Sequence, residues 1–263
     1  MRVLVIGYGA MAKAVLQALP EGMFVTGLVV RQGNEKAVQN EVGRSIQVVS
    51  NIDEIQNAPD VVIEMAGQSA LKMHLPKAMT FGVPIGIISV GAFADDDWYQ
   101  SMLDSARVYG SRLHILSGAI AGVDALSAAV YVGLDEVIYQ GRKPPEGWQG
   151  SHAEHCVDLA QLTEAVTFYR GTAREAATLF PANTNVAATL ALAGIGMDQT
   201  TVELTADPSI GRNQHCVTAR GAFGQLTVMI EGEPLDDNPK TSQLAAMSVV
   251  RFCHDLMRPI VIA

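Results

Sequence analysis

The chain opens on RVLVIG (2–7), a short β-branched run, and passes at once through the turn GYGAMA (7–12) into the helix-forming stretch AMAKAVLQAL (10–19). Strand, tight glycine turn and helix in that order leave few folds open. In such a turn Gly7 allows the reversal, Gly9 lets backbone approach a phosphate, and a small third residue, Ala12, permits close packing of helix on sheet. The helix N-terminus then offers free N–H groups and a partial positive charge to an anion.

The alternation continues. MFVTGLVV (23–30), SIQVVS (45–50) and PDVVIEMA (59–66) read as the second, third and fourth strands. A helix over 69–82 follows, in which Pro76 is expected to kink the helix or to start part of it. PIGIISVGA (84–92) reads as a strand, and a helix begins near Asp95, where Asp95, Asp96 and Asp97 serve capping and the helix dipole. RLHILSG (112–118) supplies the last buried strand. Strands and helices in alternation predict an α/β, Rossmann-type, doubly wound parallel sheet.

After Gly118 the rhythm changes. The pattern predicts a helix over 119–132, a strand over 136–145, a small-residue helix over 185–196, and three strands at hairpin spacing, 201–206, 213–219 and 225–230. This is a second, α+β domain with a mixed or antiparallel sheet. A closing helix over 238–257 has apolar positions suited to packing back on the first domain. The expected boundaries are therefore 1–118 completed by 239–263, with 119–238 between them.

Composition excludes several classes. A formal net charge of −9 leaves no broad basic surface for nucleic acid or an anionic membrane. The apolar N-terminal run is too short to span a bilayer, and no other window offers about 18 uninterrupted apolar residues. Cys156, Cys216 and Cys253 lie far apart and match no metal spacing, which predicts reduced, mostly buried thiols and fits a cytoplasmic location. His152, Glu154 and His155 in SHAEHC lack a third ligand of suitable spacing, so no metal is expected.

Four stretches carry candidate chemistry. The second strand ends at Arg31, where a strictly NAD-selective protein would place an acid; Arg31 is either an incidental exposed charge or a partner for a 2′-phosphate, so NAD or NADP is expected. SGAIAGVDAL (117–126) follows the last strand of the first domain, and is either a hinge or a backbone contact for a cofactor ring. FPANTNVAATLALAG (180–194) opens a helix with Asn183 and Asn185, of which one can be the N-cap and the other is free to offer its amide. NQHCVTA (213–219) alternates so that His215, Val217 and Ala219 share one strand face, which leaves open whether His215 is core or moves a proton.

GYGAMA, SGAIAGVDAL, FPANTNVAATLALAG, ADP (206–208), NQH (213–215) and NPKTS (238–242) occur in the order and at the intervals of L-aspartate dehydrogenases, which the whole chain resembles. The resemblance implies that Ala119 and Asn185 contact the nicotinamide cofactor and that His215 is catalytic. Together with the glycine turn it predicts a cofactor site of Gly7, Gly9, Ala10, Met11, Arg31, Ala66, Ala119 and Asn185. It also implies oxidative deamination of L-aspartate to iminoaspartate, then oxaloacetate and ammonia, with reverse amination open and a place in pyridine nucleotide synthesis. Another small amino- or keto-acid dehydrogenase, or a nucleotide sensor without turnover, are the rival readings.

Two substrate carboxylates need cations or oriented donors. The candidates are Arg142, Lys143, Arg170, Arg174, Arg212 and Lys240 with Thr241 and Ser242, of which Arg174, Lys240, Thr241 and Ser242 are the expected substrate ligands. An apolar mixed sheet in a small second domain further predicts a homodimer.

Overall fold

Five consecutive strand residues, Arg2–Ile6 (β1), bury all but the first side chain and so take the centre of a sheet. The computed structural model describes residues 1–235 and 238–262; Asp236, Asp237 and Ala263 lie outside the described residues, as do the side chains of Pro239 and Lys240. Contacts divide the chain into two units, Met1–Leu116 with Ala246–Ile262, and Ser117–Ala245.

In the first unit β1 is followed by α1 (Ala10–Gln17), β2 (Phe24–Val29), α2 (Glu35–Val42), β3 (Gln47–Val49), β4 (Val61–Glu64), α3 (Gln68–Met79), β5 (Pro84–Ile87), α4 (Asp96–Tyr109) and β6 (Arg112–Ile115). The strands form one sheet in the order β3-β2-β1-β4-β5-β6, every pairing parallel. This is the doubly wound sheet expected from the alternation. Asp95 caps α4, its Oδ1 accepting from Trp98 N at 3.2 Å.

Three local expectations change. Helix α2 has no counterpart in the sequence reading, because only Val38 is buried and no apolar stripe announces it. Pro76 lies inside α3 and does not start it. β5 stops at Ile87, not at residue 92, since Val90–Ala94 winds into a buried 3-10 turn, and β6 likewise stops at Ile115.

The second unit contains α5 (Val123–Ala129), β7 (Leu134–Lys143), β8 (Val166–Thr172), α6 (Ala173–Leu179), α7 (Asn185–Ala193), β9 (Thr201–Ala206), β10 (Asn213–Gly221), β11 (Gly224–Gly232), and a small hairpin of β12 (Pro234–Leu235) with β13 (Asn238–Ser242). Its five-stranded sheet runs β11-β10-β7-β9-β8 and is mixed: β7 and β9 are parallel, the other pairs antiparallel. β9 therefore does not form a hairpin with β10; β7 lies between them, a long-range pairing that spacing cannot show. β8 and α6 are additions to the sequence reading, and α6 is fixed by a capping box between Thr172 and Glu175.

The last helix, α8 (Gln243–Met257), starts later than residue 238, because 238–242 is taken by β13. Its Phe252 fills the space over Gly86, where a Cβ would stand 2.7 Å from the ring, and lies 4.9 Å from the His114 ring. Cys253 beside it is buried and Cys216 half-buried, whereas Cys156 is exposed, against the expectation of mostly buried thiols; all three are free.

Candidate active site

The first unit holds a cavity of about 1190 Å³ at the carboxyl ends of its central strands. Gly7, Gly9, Arg31 and Ala66 line it, while Ala10 and Met11 open α1 immediately behind the turn. Gly7 has φ +101°, and a Cβ on it would lie 2.7 Å from the Met65 carbonyl oxygen, so the position admits no side chain. Gly9 is different. A Cβ there would meet no protein atom within 4 Å, so its missing side chain leaves open space facing the start of a helix that no side chain caps.

That combination fits the pyrophosphate of a dinucleotide, which needs backbone approach and free N–H donors at a helix N-terminus. His74, only 6% exposed, also lines the cavity and has an Nδ1 without a hydrogen-bond partner among the described residues. A bound adenosine moiety offers polar atoms to such a group. Arg31 is exposed at the rim, where β2 ends.

Beneath the cavity wall lies Glu64, the last residue of β4 and fully buried. Its Oε1 accepts from Ala66 N at 2.7 Å, Gly67 N at 3.0 Å and Ser89 Oγ at 2.7 Å; its Oε2 accepts from Ser89 N at 3.1 Å. Burial raises its pKa, against the opposing pull of those donors. The carboxylate thus pins the 65–67 backbone that lines the cavity.

In the second unit His215 is 6% exposed on β10. Register places it opposite Gly141 of β7, and strand alternation then puts Tyr139, Gly141 and Lys143 on the same face as His215. Tyr139 Oη and His215 Nδ1 are 2.7 Å apart. Gly141 makes that approach possible: a Cβ there would lie 2.8 Å from the Tyr139 hydroxyl. Burial, with the Lys143 charge adding to it, pushes the His215 pKa down to about 3, and burial drives that of Tyr139 upward. Both rings are therefore neutral near pH 7.

Lys143 is 7% exposed, with its Nζ donating to Asn183 Oδ1 at 2.6 Å and standing 4.9 Å from the centre of the Trp148 ring. Trp148 is itself locked, donating from Nε1 to Thr205 O at 3.0 Å. Neither asparagine is the N-cap of α7. Thr184 occupies that position, with its hydroxyl on Phe180 O, which leaves Asn183 for Lys143 and puts Asn185 in the first helical turn. Ala119 is buried in the turn before α5, and α5 packs on α7.

The expected substrate ligands are placed as follows. Arg174 forms two bonds to Asp198, Nε–Oδ1 at 2.6 Å and Nη2–Oδ2 at 2.7 Å. Thr241 Oγ1 accepts from Asn238 Nδ2, and Ser242 Oγ accepts from Leu244 N at the start of α8. Lys240 lies on β13, and its side chain is outside the described residues. Arg142, Arg170 and Arg212 pair with Asp207, Glu203 and the Glu231–Glu233 pair. His152 meets Phe180 edge-on, and among the described residues no group of three or more His, Cys, Asp or Glu is arranged to hold a metal. No helix among them is long and apolar enough to cross a membrane.

Sequence reasoning alone missed Tyr139, Glu64 and His74. The alternation YQGRK does place Tyr139, Gly141 and Lys143 on one face, but only the register with β10 brings that face to His215.

A parallel doubly wound sheet, a glycine turn opening a cavity, and a mixed-sheet unit carrying a buried histidine define a pyridine-nucleotide oxidoreductase. Residues 124–256 match the family described as aspartate dehydrogenase, C-terminal, and residues 7–116 match homoserine dehydrogenase, NAD binding domain. An L-aspartate dehydrogenase of Acinetobacter baylyi is 48% identical over 98% of both chains, and one of Psychrobacter cryohalolentis is 47% identical over 95% of both. The crystal structure of aspartate dehydrogenase from Thermotoga maritima superposes with a TM-score of 0.77 at 26% identity, covering 100% of this chain and 99% of that one. The chain belongs to the aspartate dehydrogenase family.

Proposed function

We propose that this protein oxidises L-aspartate to iminoaspartate with NAD or NADP, water then releasing oxaloacetate and ammonia. The observation that carries this reading is His215: a neutral, buried imidazole on a strand of the family-matched region, with one nitrogen already engaged by Tyr139. A bound nicotinamide dinucleotide supplies the hydride acceptor. The first unit is the dinucleotide-binding domain and the second the substrate domain. Gly7, Gly9, Ala10, Met11, Arg31, Ala66, Ala119 and Asn185 hold the cofactor.

The substrate's α-ammonium must lose a proton before its nitrogen can push electrons into a forming C=N bond. His215 takes that proton at Nε2, in the tautomer whose Nδ1–H donates to the Tyr139 oxygen. Burial and Lys143 disfavour the resulting imidazolium, and the two substrate carboxylates offset that penalty with negative charge. Water then adds to the iminium carbon and sheds a proton to solvent, and His215 returns its own proton to the nitrogen as the adduct collapses to oxaloacetate and ammonia.

Arg31 at the cavity rim supports use of NADP, because a guanidinium suits a 2′-phosphate. Replacing it, Arg31→Ala, should raise the KM for NADP about tenfold, the equivalent of ~1.4 kcal/mol, and that for NAD far less. A cytoplasmic homodimer that supplies iminoaspartate to pyridine nucleotide synthesis completes the reading. The outward residues Thr227 and Met229 of the edge strand β11 are exposed and offer a face for a second copy. Initial rates of nicotinamide reduction with L-aspartate, D-aspartate, L-glutamate and L-alanine, each with NAD and NADP, test the proposal. L-Aspartate should dominate, and no turnover with it under either cofactor sinks the reading.

A further inference from the structure

Among the candidate cations of the second unit whose side chains are described, Lys143 stands on the strand face that carries His215. Arg174, another candidate for a substrate carboxylate, is held by two bonds to Asp198. Lys143 lies two residues beyond Gly141, the residue opposite His215, so strand geometry sets the two side chains on one face. The next strand continues that face, with Lys143 opposite Ala206.

The ammonium is also held in place. Asn183 takes one of its protons at 2.6 Å, Trp148 underlies it, and Gly147 sits close enough that a Cβ there would touch the Lys143 Cβ at 3.1 Å. A lysine side chain otherwise keeps the rotamer freedom of a long flexible stem. Fixing it in advance lowers the cost of binding an anion.

We propose that Lys143 is a substrate-binding residue whose ammonium holds one carboxylate of a dicarboxylic amino acid beside His215, with Asn183 as its positioning residue. This rests on the reading of the site as the one that oxidises L-aspartate. It assigns the dicarboxylate preference to Lys143 in place of Arg174. The downward push of the Lys143 charge on the His215 pKa agrees with the two being neighbours, and a carboxylate on the ammonium relieves that push.

The test uses the full-length protein and the variants Lys143→Gln, Lys143→Arg and Asn183→Ala. Binding of succinate and of butyrate is measured by calorimetry, and KM and kcat for L-aspartate are measured at saturating cofactor. K143Q should raise the KM at least tenfold and bring succinate affinity down to that of butyrate, with the cofactor dissociation constant unchanged. K143R should recover part of the loss. Succinate binding and KM within twofold of wild type in K143Q overturn the proposal, as does a loss shared equally by succinate and butyrate. Should K143Q fail to fold, Asn183→Ala decides: a KM raised threefold or more supports the assignment, and an unchanged KM overturns it. If the wild type does not oxidise L-aspartate, the functional reading fails, while the succinate comparison still judges Lys143.

Discussion

The cavity of the first unit and the histidine cluster of the second are built from opposite materials. The cavity is shaped by backbone and by missing side chains: Gly7 because nothing else fits, Gly9 because nothing else is there, and 65–67 because Glu64 ties it down. The cluster is made of large buried side chains, Tyr139, Lys143, Trp148 and His215, each holding another. A fold that binds a cofactor carrying its own chemistry needs only shape and N–H donors. A site that must move a proton has to set the protonation state of a particular atom, and that takes neighbours.

The contrast breaks most sharply at His215. His215→Gln should lower kcat/KM for L-aspartate by about 10² to 10⁴, the usual worth of a general base, with cofactor affinity unchanged by fluorescence titration. Equal loss of cofactor binding would show that the two regions do not divide the labour in this way. Next in size is the glycine pair. Gly9→Ala should weaken the cofactor about tenfold, ~1.4 kcal/mol, yet leave the melting temperature alone, since no protein atom meets the new methyl. Gly7→Ala should instead cost about 1–3 kcal/mol of stability through its positive φ, before any effect on binding. Similar behaviour of both variants would blur the distinction between a closed position and an open one.

An effect comparable to that of Gly9→Ala separates Tyr139 from the base itself. Tyr139→Phe removes the oxygen that orients the imidazole and should lower kcat about tenfold with little change in KM. A different readout is stability against pH. Unfolded, His215 has its ordinary pKa near 6.5; folded, it is near 3. The unfolded chain therefore gains a proton that the folded chain refuses, and stability drains away as pH falls from about 6.5 towards 3. Denaturant titrations should show that His215→Gln loses less stability than wild type across that window.

The same contrast explains what could be read from the sequence. The glycine turn is local: strand, turn and helix are consecutive, so Gly7, Gly9 and the parallel sheet were legible in twelve residues and an alternation. His215 was visible only as one face of a strand. Tyr139, 76 positions away, meets it through the β7–β10 register, and Lys143 meets Asn183 across 40 positions. Strand periodicity gives faces but no partners. Polar α2 was hidden because it buries one residue, and β8 because nothing around Val166 marks it off. The capping box TARE, by contrast, was there to be read as the start of α6.

Gly141 carries a further consequence. It is extended backbone in the middle of a well-paired strand, so an alanine there would satisfy every ladder hydrogen bond and leave the sheet intact. Yet the added methyl would claim the place of the Tyr139 hydroxyl and turn it from the imidazole. The hydrogen-bond ladder is blind to this position and the chemistry is not. In Gly141→Ala, removing Tyr139's hydroxyl as well should cost nothing more, because the two changes delete one and the same contact.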